Sequence, residues 1–150
     1  MIAYQEIEGK PNEQTLEKIE AFYKSVFEVF LAEEFALRMN SSEKLLTLLA
    51  FSEGEIVGFK IGYQLEPNKF YSWIGGIRSD FRGQGVAAEL MRRQHDWCAR
   101  NGFQIVKTKT KNSFKPMLIL NIKSGFDIVE VYRDGKGEIK IVLEKRLNES

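Results

Sequence analysis

Apolar positions change their spacing several times along the chain, and each change marks an element. Residues 1–7 place Ile2, Tyr4 and Ile7 in a strand-like pattern that Gly9 and Pro11 close. Leu16, Ile19, Tyr23, Val26, Phe27 and Phe30 then recur at the spacing of one helix face, with Thr15 or Asn12 available as the cap. A second short helix is predicted over residues 33–39. Residues 45–51 and 55–63 are β-rich runs joined by Glu53-Gly54, the pattern of a hairpin. After Pro67 and Asn68 a third run, residues 70–77, begins aromatic and contains Gly75-Gly76. A glycine pair inside a strand predicts a bulge or a close approach by something else.

Residues 86–101 read as a helix whose face is Ala87, Leu90, Met91, Gln94, Trp97 and Cys98, with Gly102 as its C-terminal cap. His95 falls off that face and is expected at the surface. Residues 103–110 form the next strand. Pro116 opens a further helix through Ser124, and Gly125 ends it. Residues 126–132 and 139–147, separated by Asp134-Gly135-Lys136-Gly137, predict a final antiparallel hairpin. The order β-α-α-β-β-β-α-β-α-β-β describes one α/β layered domain over residues 1–150. Its sheet is mixed, because hairpins are antiparallel while a strand–helix–strand crossover is parallel.

Composition narrows the picture. With 150 residues, 43% of them apolar, the chain can bury a real core as a single domain. Charge is balanced, 22 basic against 21 acidic side chains, so nothing global steers it toward nucleic acid or an anionic membrane. Cys98 is the one cysteine and His95 the one histidine, which argues against a disulfide framework and against a Cys/His metal site. No basic leader followed by an apolar run is present, and no segment approaches about 18 unbroken apolar residues. A cytoplasmic protein is expected.

The chemistry concentrates at residues 77–87, IRSDFRGQGVA, where two closely spaced glycines join an apolar strand to a helix. Glycine lets a backbone approach a ligand closely, and the first N–H groups of a helix lack intrahelical partners, so such junctions bind anions. A Walker loop would need lysine and then Ser or Thr after its last glycine, but Gly85 is followed by Val86 and Ala87. Gly83-x-Gly85-x-x-Ala88 fits the relaxed dinucleotide fingerprint. That fingerprint belongs in the first strand–helix unit with an acid about 20 positions on, and residues 103–107 carry none.

Arg82-Gly83-Gln84-Gly85-Val86-Ala87 instead resembles the pyrophosphate-binding loop of the GNAT superfamily of acyl-CoA-dependent N-acyltransferases, pattern Arg/Gln-x-x-Gly-x-Gly/Ala. Ile77 stands where that family has an apolar residue before the loop, the element order is similar over nearly the whole chain, and LILNIKSGF at residues 118–126 looks like the family's closing helix with its Gly-Phe ending. The resemblance implies a GNAT-like mixed sheet of about seven strands flanked by about four helices. It also implies acetyl-CoA as co-substrate and an amine of a small molecule or peptide as acceptor. The N–H groups of Gly83, Gly85, Val86 and Ala87 would cradle the pyrophosphate, with Gln84 in the same loop and Arg82 adding charge. The pantetheine arm would add along an edge opened between residues 70–77 and 103–110, the glycine pair starting the splay. A backbone N–H near Ile77 would stabilise the oxyanion.

Direct transfer also needs a base for the amine and an acid for the thiolate. The tyrosine often placed four residues before the family's Gly-Phe ending is Asn121 here, and an amide is no general acid; Asn121 remains a cofactor contact. The asparagine often found seven residues before that position is Phe114, with Asn112 two residues earlier as a candidate for that contact. Candidate bases are Glu33 and Glu34, in the region bordering the acceptor in similar proteins, and Asp80 beside the loop. Tyr63, Tyr71 and Tyr132 offer hydroxyls from strands. Lys107, Lys109 and Lys111 are either a solvated face or contacts for the cofactor's 3′-phosphate or an acidic acceptor. Dimers are common among similar proteins, though no interface signature stands in the sequence. The departure at Asn121 leaves a second reading open, a CoA-binding or protein-interaction module that kept the fold and lost efficient chemistry.

Overall fold

A computed structural model describes residues 1–147. Its elements, in chain order, are β1 (Ala3–Glu8), α1 (Glu13–Val26), α2 (Ala32–Ser41), β2 (Leu46–Ser52), β3 (Glu55–Glu66), β4 (Lys69–Ile77), α3 (Val86–Arg100), β5 (Ile105–Lys111), α4 (Lys115–Lys123), β6 (Asp127–Arg133) and β7 (Ile139–Arg146), with a short 3-10 turn at Ser79–Phe81. The predicted order is reproduced element for element. One seven-stranded sheet runs β1-β2-β3-β4-β5-β7-β6. All its neighbours are antiparallel except β4 and β5, which the α3 crossover makes parallel. The final hairpin inserts β7 beside β5 and leaves β6 at the edge.

Each face of the sheet buries its own cluster. Leu46, Leu48, Val57, Phe70, Val106 and Leu143 meet Leu90, Met91, Trp97 and Cys98 of α3 on one face. On the other, Leu49, Phe59 and Ile61 meet Ile19, Phe22, Phe35 and Met39 of α1 and α2. Strand alternation divides β3 between the two: Val57 aside, Phe59 and Ile61 face α1 while Gly58, Lys60 and Gly62 face α3. Asn12 is the cap of α1, its Oδ1 accepting the Thr15 N–H at 2.8 Å. The helix ends at Val26 rather than continuing through Phe30, because Phe27 turns extended and its N–H bonds back to the Tyr23 carbonyl. Phe27 and Phe30 still pack on Tyr23, with ring centroids at 5.0 and 4.9 Å. Their periodicity reflected a shared cluster, not one helix.

Of the two readings of Gly75-Gly76, the close approach holds, and the bulge that was to start the splay is elsewhere. It lies at Trp73, not at Gly75-Gly76: Ile61 pairs with Ile74 and Gly62 with Ser72, so Trp73 is the extra residue, while Gly75 and Gly76 pair regularly with Lys60 and Phe59. The glycines serve close packing. A Cβ on Gly76 would stand 3.1 Å from Phe27, 3.2 Å from Phe59 and 3.2 Å from Val26, so a side chain there would push α1 off the sheet. Among the described residues no helix is long and apolar enough to cross a membrane.

Candidate functional site

The parallel pairing of β4 and β5 is short. It covers Lys69, Phe70, Tyr71 and Ser72 against Ile105, Val106, Lys107 and Thr108, and stops. The hydroxyl of Thr108 donates to the Ser72 carbonyl at 3.0 Å and closes that end. Beyond it β4 continues to Ile77 bonded to β3 alone, and β5 continues to Lys111 bonded to β7 alone. The bulge at Trp73 sits where they part, as expected of an extra residue that bends its strand. The result is a V-shaped cleft in the middle of the sheet. Its β4 wall is a strand edge with free backbone groups over residues 73–77, able to accept an extended, amide-bearing ligand.

At the mouth of this cleft lies the glycine loop. Ile77 ends β4 and packs its side chain on the α3 cluster, and the Arg78 N–H still bonds to the Val57 carbonyl at 2.8 Å. After the 3-10 turn, Gly83 at φ +78° and Gly85 at φ +82° both take the left-handed conformation, and no atom lies within 4 Å of where a Cβ would stand on either. Gly85 caps α3 with no side-chain hydrogen bond, so the N–H groups of Val86 and Ala87 emerge at the positive end of the helix dipole. Val86 is buried and anchors this end of the helix, while Gly83, Gln84 and Gly85 are exposed. Gln84 braces the loop by donating to the Asp80 carbonyl at 3.2 Å, and Arg82 Nε donates to the Ile77 carbonyl at 3.4 Å.

On the α1–α2 face of the cleft the residues are aromatic and polar. Arg38 holds Glu34 at 2.8 Å, donates to the Tyr63 hydroxyl at 2.5 Å and lies 5.1 Å from the Trp73 ring. Through Arg38, Glu34 is thus tied to the bulge of β4. Glu33 beside it is exposed, with no ion pair among the described residues. Asp80 is at the other end of the cleft, in a two-pronged pair with Arg78 at 2.7 and 3.1 Å, and that pair holds its carboxyl below the usual range. Tyr71 packs on Tyr63 at the closed end, and burial, ahead of the Tyr63 neighbour, pushes its hydroxyl up to about 12. It stays neutral and able to donate. Tyr132 stands under Lys109, and Lys111 is paired with Glu138 at 3.2 Å.

The opposite, α3–α4 face contributes Asn121, which is buried. Its carbonyl accepts from Ser124 and Phe126, the bonds that turn α4 into the Gly-Phe ending. Asn112 begins the loop before α4, its side chain accepting from Lys115 at 2.9 Å. Two residues here escaped the sequence reading. His95 is buried, not solvated: its ring packs 5.5 Å from Phe126 and its Nδ1 lies 3.2 Å from Lys145 Nζ. Its position four after Met91 and three before Cys98 already placed it on the apolar side. Lys60 is half-buried, and its phase with Gly58 and Gly62 was the available signal.

Burial, with Lys145 and Lys60 as cationic neighbours, lowers the His95 pKa to about 3. Unfolded histidine titrates near 6.5, so below that pH the unfolded chain binds a proton that the folded one refuses. Stability is therefore full above about pH 6.5 and falls by up to about 1.4 kcal/mol per pH unit on acidification toward 3. Denaturant titrations across this range are expected to show that slope in the native sequence and a shallower one in His95→Phe. Equal slopes would mean that other groups carry the acid sensitivity.

The profile of the acetyltransferase (GNAT) family matches residues 12–120. No curated protein matches in sequence. Among solved structures, the chain is similar to the ribosomal-protein-S18-alanine N-acetyltransferase of Escherichia coli, TM-score 0.83 at 15% identity, covering 100% of this chain and 96% of that one. It is similar also to a GNAT family acetyltransferase of Elizabethkingia anophelis solved with acetyl-CoA bound, TM-score 0.70 at 18% identity over 97% of this chain and 98% of the other. A GNAT family acetyltransferase of Streptococcus pneumoniae gives TM-score 0.76 at 18% identity, with coverage of 97% and 100%. At such identities the likeness speaks for the fold.

Proposed function

The chain belongs to the acetyltransferase (GNAT) family of acyl-CoA-dependent transferases, and on that premise we propose that it moves an acetyl group from acetyl-CoA directly to a primary amine of a small molecule or peptide. The observation that carries the reading is the coincidence of two features at one place. The β4 edge is open over residues 73–77, and the left-handed glycines that end in the N-terminus of α3 lie immediately beyond it. Pyrophosphate binds at the N–H groups of Gly83, Gly85, Val86 and Ala87, with the Gln84 backbone in the same turn and Arg82 swinging from Ile77 to the phosphates. The pantetheine amides add to β4 as an extra strand. Its thioester then lies beside Ile77, whose neighbouring N–H groups stabilise the oxyanion formed on attack. Asn121 and Asn112 line the α4 side of the arm.

The acceptor enters from the α1–α2 face, between Arg38, Trp73 and the tyrosines. Of the three carboxylates, Glu34 is the one joined to the cleft wall, and it takes the proton of the attacking amine. Asp80 serves the loop through Arg78. The Escherichia coli structure named above acts, by its name, on an alanine of a ribosomal protein, which is in keeping with a peptide amine as acceptor. The protein acts in the cytoplasm, as a monomer or a homodimer.

Calorimetric titration with acetyl-CoA, followed by free-thiol detection over a panel of amines that includes short peptides, tests the proposal. Binding together with amine-dependent thiol release is the expected result. Binding with no turnover on any amine would favour a CoA-binding module instead, and absence of binding would remove both.

A further inference from the structure

Behind the open stretch of β4 stands a charged side chain that no step above uses. Lys60 lies on β3 between Gly58 and Gly62, on the face that α3 covers. Val86 and Leu90 pack at Gly58, 3.3 and 3.4 Å from the place a Cβ would occupy, and Trp97 packs on Phe70, which fills the space at Gly62. Gln94, one turn beyond Leu90, therefore falls at the level of Lys60. Across on β4 the register partner of Lys60 is Gly75, in the stretch that β5 has left. The lysine stem runs against that glycine, its Cγ 3.6 Å from the Cβ position. With no side chain on Gly75, a lysine can reach over β4 into the cleft.

Its charge is felt across β4. The ammonium of Lys60 acts on His95, whose other neighbours, Phe126 and Lys145, lie on the β7 side of the sheet, with Lys145 level with the paired stretch of β4 and β5. Desolvation alone acts on Lys60, lowering its pKa to about 8, and among the described residues no carboxylate or hydrogen-bond acceptor holds it. Both polar atoms of Gln94 and the Nε2 of His95 are likewise buried without partners. Buried polar groups without partners are costly in a folded chain. Beside Lys60 stand its register partners, Leu48 on β2 and Gly75 on β4, and His95 on α3 feels its charge, with Lys145 of β7 behind His95.

We propose that Lys60 is the general acid of the transfer. This rests on the acetyl-CoA cleft argued above. The amine nitrogen forms the C–N bond; the carbon–sulfur bond of the thioester breaks, with its electron pair going to sulfur. The sulfur takes a proton from Lys60 Nζ, and the neutral lysine recovers one from solvent, balancing the proton that the attacking amine gives up. An ammonium desolvated in this way is matched to a thiol, which ordinarily titrates near 8.5, and it supplies the acid that Asn121 does not.

Lys60→Met, Lys60→Gln and Lys60→Arg test this with an amine that the native protein acetylates. All three are expected to fold, by circular dichroism, and to bind acetyl-CoA within about threefold of the native affinity. In all three kcat is expected to fall about 100-fold, the scale of a lost general acid. The native kcat declines as pH rises through about 8, where Lys60 loses its proton, and that limb disappears in K60M. Arginine keeps the charge but does not give up a proton at these pH values, so K60R stays slow. Native kcat within about threefold in K60M and K60Q, or a rate restored by K60R, overturns the proposal. If the native protein neither binds acetyl-CoA nor acetylates any amine, the underlying reading fails first, in the arm without a substitution, and this proposal falls with it.

Discussion

Gly85→Val is expected to weaken acetyl-CoA binding by about 100-fold or more while the protein stays folded. At φ +82° a β-branched residue is strained, costing roughly 1–2 kcal/mol, which the exposed loop escapes by changing its path. Nothing packs within 4 Å of the Cβ position, so the rearrangement need not disturb the core. It does move the N–H groups of Gly85 and Val86 out of the proposed pyrophosphate site. Hydrogen bonds to a charged group contribute about 1.5–3 kcal/mol each, so losing two gives a factor of about 100 or more. Calorimetry with acetyl-CoA, alongside a thermal melt, reads both halves of the expectation. An affinity within about threefold of native would take this loop out of the binding site.

Phe59→Ala has the largest expected effect on stability, about 3–5 kcal/mol. The ring is 1% exposed and packs edge-on or tilted against Phe22, Tyr23 and Phe27 at 5.6, 5.9 and 6.4 Å. It also lies against Gly76, so it is the point where α1 rests on the sheet beside the open edge of β4. A loss of this size is a large part of the stability of an ordinary domain and lowers the melting temperature by roughly 6–20 °C. Because α1 also bounds the face by which the acceptor is proposed to enter, activity is expected to fall at temperatures where the variant is still folded. A melting temperature within about 2 °C of native would show that the neighbouring rings close the cavity.

The elements were legible because the chain punctuates itself. Pro11, Glu53-Gly54, Gly102, Gly125 and Asp134-Gly135 each stop one period before the next begins, at the junctions of β1 with α1, β2 with β3, α3 with β5, α4 with β6 and β6 with β7. The loop was legible for a related reason: a left-handed backbone needs glycine, so Gly83 and Gly85 announce their geometry from the sequence. Elsewhere two physical states share one pattern. Phe27 and Phe30 carry helical spacing but sit beyond the helix end, since an aromatic cluster is satisfied by proximity whatever the backbone does. Gly75-Gly76 looks the same whether glycine relieves a bulge or admits a neighbouring ring, and the contact with Phe27 and Phe59 shows the second.

The order of elements, the left-handed glycine loop and the family are properties of short segments, fixed by local period, glycine position and cap, and they stand in the sequence. Which strands part, and where, depends on pairing across the sheet: β5 leaves β4 at Ser72 because Trp73 adds a residue and β7 holds β5 on its other side. The environment of Lys60 and His95 is of the same kind, a lysine and a histidine whose charge is set by what α3, β4 and β7 place around them. Desolvation arises from neighbours distant in the chain, so it appears only when the chain is folded.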